Sequence, residues 1–274
     1  MKKEDFFISL FDGKHIGDDG AVIEDLVISK DLFCEDIHFK REWMSLAQIA
    51  KKSMLINISD AIVMNAKPRY ALIGIKIPKS FTSKELKEIF RGFNEIGKEY
   101  DFEIVGGDTI AGEKLDISIT LISKTKKPIY RNGIKKGYLL AYTGNIGNSH
   151  KDLKKLLSHK KVSSSSKMIT PKLRGDFFYE ASKYIKSALD ISDGLFKDLS
   201  RLSKANKVGF KFIKKISKRA GCSGEEYEIL FAFDKRDKKR VLSISRKTKT
   251  PITIFAKAKR GKFISICEEN HFEN

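Results

Sequence analysis

The sequence predicts a two-domain α/β (α+β) protein. Three observations carry this. Through the first half, short apolar runs rich in Val and Ile alternate with longer stretches of helical periodicity. A turn-rich stretch, RNGIKKG at 131–137, is followed by a second mixed set of strands and helices. At 274 residues, 41% hydrophobic and 32% charged, the chain is long enough for one or two domains and can bury a core. We expect an N-terminal domain over 1–136 and a C-terminal domain over 137–274.

The elements follow in order. Leu26-Val27-Ile28-Ser29 reads as a strand ending near Asp31. Residues 45–66 are long and largely apolar with polar interruptions, and predict a buried helix that Pro68 helps to stop. YALIGIKI, 70–77, is a strand bounded by Pro78. Thr82 and Glu85 fit a capping box, and Leu86, Ile89, Phe90, Phe93, Ile96 and Tyr100 then make one apolar helix face. EIVGG, 103–107, predicts a short buried strand that turns sharply, and DISITLIS, 116–123, alternates like a strand. LLAYTG, 139–144, opens the second domain. SHKKVSSSSKMIT, 158–170, reads as a mobile surface loop, and a helix is expected over 175–187. Weaker strands are expected near 208–213, 228–233, 252–258 and 262–267.

Composition excludes several classes. No run of about 18 apolar residues predicts a membrane span. The N-terminal MKKEDFFISLF has a short apolar part that carries acids and lacks a small-residue cleavage site, so it makes a poor signal peptide. Cys34, Cys222 and Cys267 are widely spaced and form no CxxC pair, which reads as reduced thiols in the cytoplasm. The formal net charge is +19, from 54 Lys and Arg against 35 Asp and Glu. Nucleic acid would be one partner for such a charge. The lysines are spread along the chain, however, with no zinc-finger, RRM or basic-heptad pattern, so we read a solvated basic surface and no nucleic-acid partner. That surface would also steer anionic small ligands.

The carboxylates stand out against this background. Asp18 and Asp19 lie between glycines in HIGDDGA, and Asp31 closes an apolar run. Asp60 lies in NISDAI and Asp108 follows two glycines in IVGGDT. Asp190 and Asp193 share ALDISDGL. Buried charges are costly unless paired or bound to metal, and hard cations such as Mg²⁺ take oxygen ligands. Glycine lets backbone approach a phosphate closely. Each acid alone is equally a turn or cap residue, and spacing leaves open whether they converge. GxxxxGK[ST] is absent; GFNEIGKE, 92–99, has Glu99 at the hydroxyl position and lies in a helical face. The kinase HRD and DFG motifs, HExxH and GxSxG are also absent.

Seven blocks in order carry a resemblance: IGDDGAV, SKD…HF, NISDAIVMNAKP, VGGDT, RNGIKKG…TGNIGNS, LDISDGLFKDL and GEEYEILF. Across about residues 15–231 the chain resembles the thiamine-monophosphate kinase family, within the aminoimidazole-ribonucleotide synthetase-like superfamily. The resemblance implies a two-domain fold whose N-terminal domains pair in a homodimer. It implies ATP as co-substrate and thiamine monophosphate as acceptor, with Mg²⁺. Asp19, Ser29, Asp31, Asp60, Asp108, Asp190 and Asp193 would be metal ligands, with Asp18 second choice beside Asp19. Gly107, Asp108, Arg131 and Ser192 would contact ATP or its metals, and Asp108, Arg131 and Asp193 would be catalytic. His38 and Glu225 would hold the thiamine phosphate. Gly194 would leave room for the turn beside Asp193.

Departures from the family pattern are also legible. S-T-D-T becomes SKDL, Arg91 replaces an aromatic near the nucleotide, and Glu226 replaces Asp. The region from Asp193 to Glu225 is shorter than usual. CEENHFEN keeps His271-Phe272 but lacks the aromatic that stacks on the thiamine just upstream; Trp43, the only Trp, lies near His38. The alternatives are a sister ATP-dependent synthetase or maturation enzyme, or a non-catalytic nucleotide-binding relative. The selenophosphate synthetase reading lacks a cysteine near the N-terminal glycines, and the hydrogenase-maturation reading lacks one at the end of the sequence.

Overall fold

The structure, a computed structural model, describes residues 3–267. Its elements run α1 (Lys3–Ser9), β1 (Ala21–Ile23), β2 (Leu26–Cys34), α2 (Leu46–Val63), β3 (Lys67–Pro78), α3 (Ser83–Glu99), β4 (Glu103–Gly112) and β5 (Asp116–Lys124). The second half adds β6 (Leu139–Thr143), α4 (Asn148–Leu157), α5 (Gly175–Ala181), β7 (Ile185–Asp190) and α6 (Leu195–Asn206). It finishes with β8 (Gly209–Phe212), α7 (Lys218–Gly221), β9 (Ile229–Phe233), α8 (Lys238–Lys247) and β10 (Ile252–Lys259).

The strands form two five-stranded sheets, in the orders β1-β2-β5-β3-β4 and β7-β9-β6-β10-β8. In the first, β3 and β4 are parallel, joined through α3, and the other pairs are antiparallel. Every pair in the second is antiparallel. The helix α2 lies between the halves. It packs on β2, β5 and α3 on one side and touches β7 and α5 on the other. It is therefore buried almost all round, including Lys52, Ser53, Asn57 and Ser59. One buried cluster runs continuously from Phe33, Ile58 and Leu121 to Phe177 and Phe231. A second, around Leu195, Leu199 and Phe255, seats α6 on the second sheet.

Local chemistry sets the helix ends. Ser45 and Gln48 close a capping box at the start of α2, and Thr82 and Glu85 close the expected one on α3. Asn65, at φ +57°, takes the left-handed conformation just past α2. That residue, rather than Pro68, stops the helix; Pro68 is already in β3, opposite Ser123.

Several elements differ from expectation. Residues 103–107 are not a short buried strand: β4 continues to Gly112, with its register against β3 shifted between Ile104 and Gly106, at the outer edge of its sheet, and is exposed along nearly its whole length. On α3, Leu86 and Phe90 are exposed, so its buried face is narrower than the apolar pattern. The helix expected over 175–187 ends at Ala181, because Ile185–Asp190 pairs with β9 as the edge strand β7. Residues 262–267 form no strand. The Phe263 N–H donates to Ser203 Oγ at 2.8 Å and its carbonyl accepts from Ser200 Oγ, so side chains of α6 satisfy this backbone in place of a neighbouring strand. The loop over 158–170 is irregular as expected, yet its end is anchored: Met168 and Ile169 are buried and Lys167 pairs with Glu228. Cys222 and Cys267 are joined in a disulfide, which corrects the reading of reduced thiols for these two; Cys34 is free. They lie 45 residues apart in sequence, a separation that carries no sign of the contact. His271-Phe272 lie outside the described residues. No helix among the described residues is long and apolar enough to cross a membrane.

Candidate active site

The site is built on α2 and the strand and loop ends around it. Along β2, residues alternate between faces. Val27, Ser29, Asp31 and Phe33 therefore share the face turned to α2, and Val27, Ser29 and Phe33 are buried there. Asp60 comes from the last turns of α2, Asp190 from the end of β7, and Asp19 from the loop before β1. Carboxylate oxygens of Asp19, Asp60 and Asp190 all lie within 4.8 Å of one another. Ser59, the residue before Asp60, donates from Oγ to Asp190 Oδ2 at 2.8 Å.

The acids perturb one another. Burial, then the charges of Glu225 and Asp19, pushes the Asp31 carboxyl up to about 6. Burial raises Asp60 well above the ordinary range, reinforced by Asp31 and Asp190. It does the same to Asp190, reinforced by Asp19 and Asp198. The partly compensating charge is Arg131. Its guanidinium meets both oxygens of Asp19, at 2.8 and 3.3 Å, while its backbone N–H donates to Asp18 at 2.6 Å. Asp18 thus holds backbone, and Asp19 faces the cluster. Burial disfavours the guanidinium charge, but Asp19, Asp190 and Asp198 together outweigh it and hold Arg131 protonated. The residues fit a hard divalent cation. All the side-chain donors are oxygens, the carboxylates repel, and the buried Ser29 Oγ has no hydrogen-bond partner.

Other expected residues are placed differently. Asp193 turns to Arg201, which also pairs with the fully buried Asp198 at 2.7 Å. Burial still pushes Asp198 up to about 7. Gly194, at φ +104°, lies against the backbone of 221–223, where a Cβ would come within 3.0 Å of the Cys222 carbonyl carbon. Ser192 is half-buried and its carbonyl accepts from the Glu225 N–H at 2.8 Å. Asp108 stands on the exposed β4, outside the three-carboxylate group, and accepts from the Thr109 N–H at 2.9 Å. Beside it, a Cβ on Gly107 would sit 1.8 Å from the Ile73 carbonyl oxygen, so only glycine fits that register. Arg91 is exposed, beside Glu88 and Glu95. Glu226 is fully buried and accepts from the Gly147 and Ser149 N–H groups at the start of α4.

His38 and Glu225 are brought near each other from the two halves. His38 stacks on Phe33 with centroids 5.7 Å apart, and its Nδ1 accepts from the Cys34 N–H. Its charge is one of those acting on Glu225. Burial would raise the Glu225 carboxyl, but Lys52, the Tyr227 hydroxyl and His38 together hold it below the usual carboxylate range. Sequence reasoning missed Lys52, Ser59, Tyr227 and Arg201. Lys52 alone left a signal, as a cation inside an otherwise apolar helix, where it read as one more polar interruption.

Comparison with known proteins starts from the same region. The family model "AIR synthase related protein, N-terminal domain" matches residues 17–125. The thiamine-monophosphate kinase of Nitrosopumilus maritimus is 30% identical over 246 residues, spanning 83% of this chain and 79% of that protein. The chain belongs to the thiamine-monophosphate kinase family. The Buchnera aphidicola thiamine-monophosphate kinase is 32% identical over 258 residues, with 83% and 79% covered. A solved structure described as AaThiL complexed with AMPPCP and TMP superposes with a TM-score of 0.84 at 24% identity, covering 95% of this chain and 90% of its own. A chain of a solved structure described as a HypE-HypF complex gives 0.77 at 19% identity, covering 94% and 93%. At these identities the structural likenesses bear on the fold, which is the expected aminoimidazole-ribonucleotide synthetase-like one.

Proposed function

We propose that this chain transfers the γ-phosphoryl group of ATP to the phosphate of thiamine monophosphate, giving thiamine diphosphate and ADP. The observation that carries the reading is the meeting of Asp19, Asp60 and Asp190 within 4.8 Å, in a member of this family. The acceptor is a phosphate monoester with a second pKa of about 6, already largely ionised at neutral pH. No strong general base is needed. The task is to bring two anions together in line and offset their repulsion.

In this reading Asp19, Asp31, Asp60 and Asp190, with Ser29, hold Mg²⁺, and Asp108 and Asp193 are further ligands. When bound, the cation neutralises phosphoryl charge and orients the transferring group. Arg131 is the nearby protein cation and turns its guanidinium from Asp19 toward phosphate. Gly107 and Ser192 offer backbone and hydroxyl to the nucleotide. Glu225, kept ionised, suits the positively charged thiazolium of thiamine, with His38 beside it. Transfer is direct, without a phosphoenzyme. The regions 1–136 and 137–274 act as a nucleotide-binding, dimer-forming domain and an acceptor domain, in a cytoplasmic homodimer.

The test is chromatographic. Purified protein incubated with Mg-ATP and thiamine monophosphate should form thiamine diphosphate, and Asp108→Ala should not. Absence of product from the wild type refutes the reading. Near-normal activity in Asp108→Ala removes Asp108 from the site.

A further inference from the structure

Lys52 has no solvent-accessible surface, and an unpaired ammonium in that position would be very costly. Its Nζ lies 2.7 Å from Glu225 Oε2 and donates to the Met168 carbonyl at 2.8 Å. It also sits 5.5 Å from the centroid of the Phe33 ring, the ring on which His38 stacks. One ammonium thus ties α2 to the segment before α5 and to the loop before β9. Replacing a buried ion pair with apolar groups is often neutral or stabilising, so the pair argues for position rather than stability.

The loop it reaches is tightly determined. Glu225 and Tyr227 both have left-handed backbones, at φ +58° and +48°, a conformation uncommon for residues other than glycine. Their N–H groups donate to the Ser192 and Ile191 carbonyls at 2.8 and 2.9 Å, and the Tyr227 hydroxyl donates to Glu225 Oε1 at 3.0 Å. The loop is therefore registered to the segment joining Asp190 and Asp193. Lys52 and Ser59 are two helical turns apart, on one face of α2, about 10 Å along its axis. Ser59 addresses Asp190 and Lys52 addresses Glu225.

We propose that Lys52 is a positioning residue for thiamine monophosphate: it holds the Glu225 carboxylate in place and so sets the distance between the acceptor-binding and phosphoryl-binding ends of the site. This rests on the kinase reading and on Glu225 serving the acceptor. Lys52 itself touches neither substrate.

The test is steady-state kinetics on wild type, Lys52→Met, Glu225→Gln and the double variant Lys52→Met/Glu225→Gln. Lys52→Met should raise the KM for thiamine monophosphate about tenfold or more, as expected when one partner of a buried charge pair is removed. The KM for Mg-ATP should stay within about twofold. The double variant leaves no uncompensated buried charge, and it should match Glu225→Gln rather than multiply the two single effects. If Lys52→Met does not fold, the double variant compared with Glu225→Gln decides alone. An unchanged KM for thiamine monophosphate, a parallel rise in both KM values, or multiplying effects in the double variant overturns the inference. A wild type that forms no thiamine diphosphate overturns the kinase reading instead.

Discussion

Asp60 is one of the acids whose surroundings oppose its charge. It projects from a helix buried nearly all round, with Asp19 and Asp190 within 4.8 Å and burial raising its pKa. Without a cation this arrangement opposes folding. Asp60→Asn keeps the shape and removes one repelling charge, so the chelator-treated variant should melt higher, by about 2–4 °C for a gain of roughly 1 kcal/mol. The same variant should lose at least about a hundredfold in turnover, because the transferring phosphoryl is no longer held in place. Calorimetry and the thiamine diphosphate assay read the two effects, and a lower melting point would mean that Asp60 is satisfied without metal. The acids themselves were legible in sequence, since several of them end an apolar run or sit beside glycine. Ser59 was not, because its partner Asp190 is 131 residues away and nothing local marks the contact. Asp193 carried the same sequence signal as Asp190, yet its side chain meets Arg201 on the following helix, a turn of direction that spacing does not encode.

At the scale of elements, period and capping predicted existence and type well where the pattern was long. The helix α3 began at its capping box, and β3 and β5 lay where their apolar patterns put them. Burial and short elements were less legible, because they depend on partners distant in sequence. β7 became a strand by pairing with β9, and 262–267 did not, because α6 supplies its hydrogen bonds. β4 has the apolar residues of a buried strand, but its outer edge meets no other strand among the described residues, and Ile104, Val105 and Ile110 are 38, 51 and 56% exposed. A long, apolar, unprotected edge is a liability unless something covers it. A second copy of the chain is the occupant implied by the family resemblance. The double variant Val105→Glu/Ile110→Glu should therefore sediment as a monomer while the wild type sediments as a dimer, with circular dichroism unchanged. A dimer that survives both charges rules out β4 as the interface.

For the whole molecule, the placement of the site makes metal binding and stability one problem. Asp19, Asp31 and Asp60 belong to the first half and Asp190 to the second, so a cation held among them ties both sheets together across α2. The direction of the pH effect follows from the raised acids. Asp31 titrates near 6 in the folded chain against an ordinary value of 3.8, and Asp60 and Asp190 are raised as well. Between those limits the metal-free folded state holds more protons than the unfolded state, so its stability falls as pH rises from about 4 through about 6. A bound cation needs the carboxylates ionised and removes that loss. Magnesium should therefore raise the melting temperature of chelator-treated protein at pH 7.5, by an amount that corresponds to about 2.7 kcal/mol at a hundredfold excess over Kd. The rise should shrink steadily toward pH 5, where protons compete for the same oxygens. Melting curves with and without Mg²⁺ across this range give the answer. A shift independent of pH would place the cation away from these acids, and a shift that grows as pH falls would contradict the raised pKa values themselves.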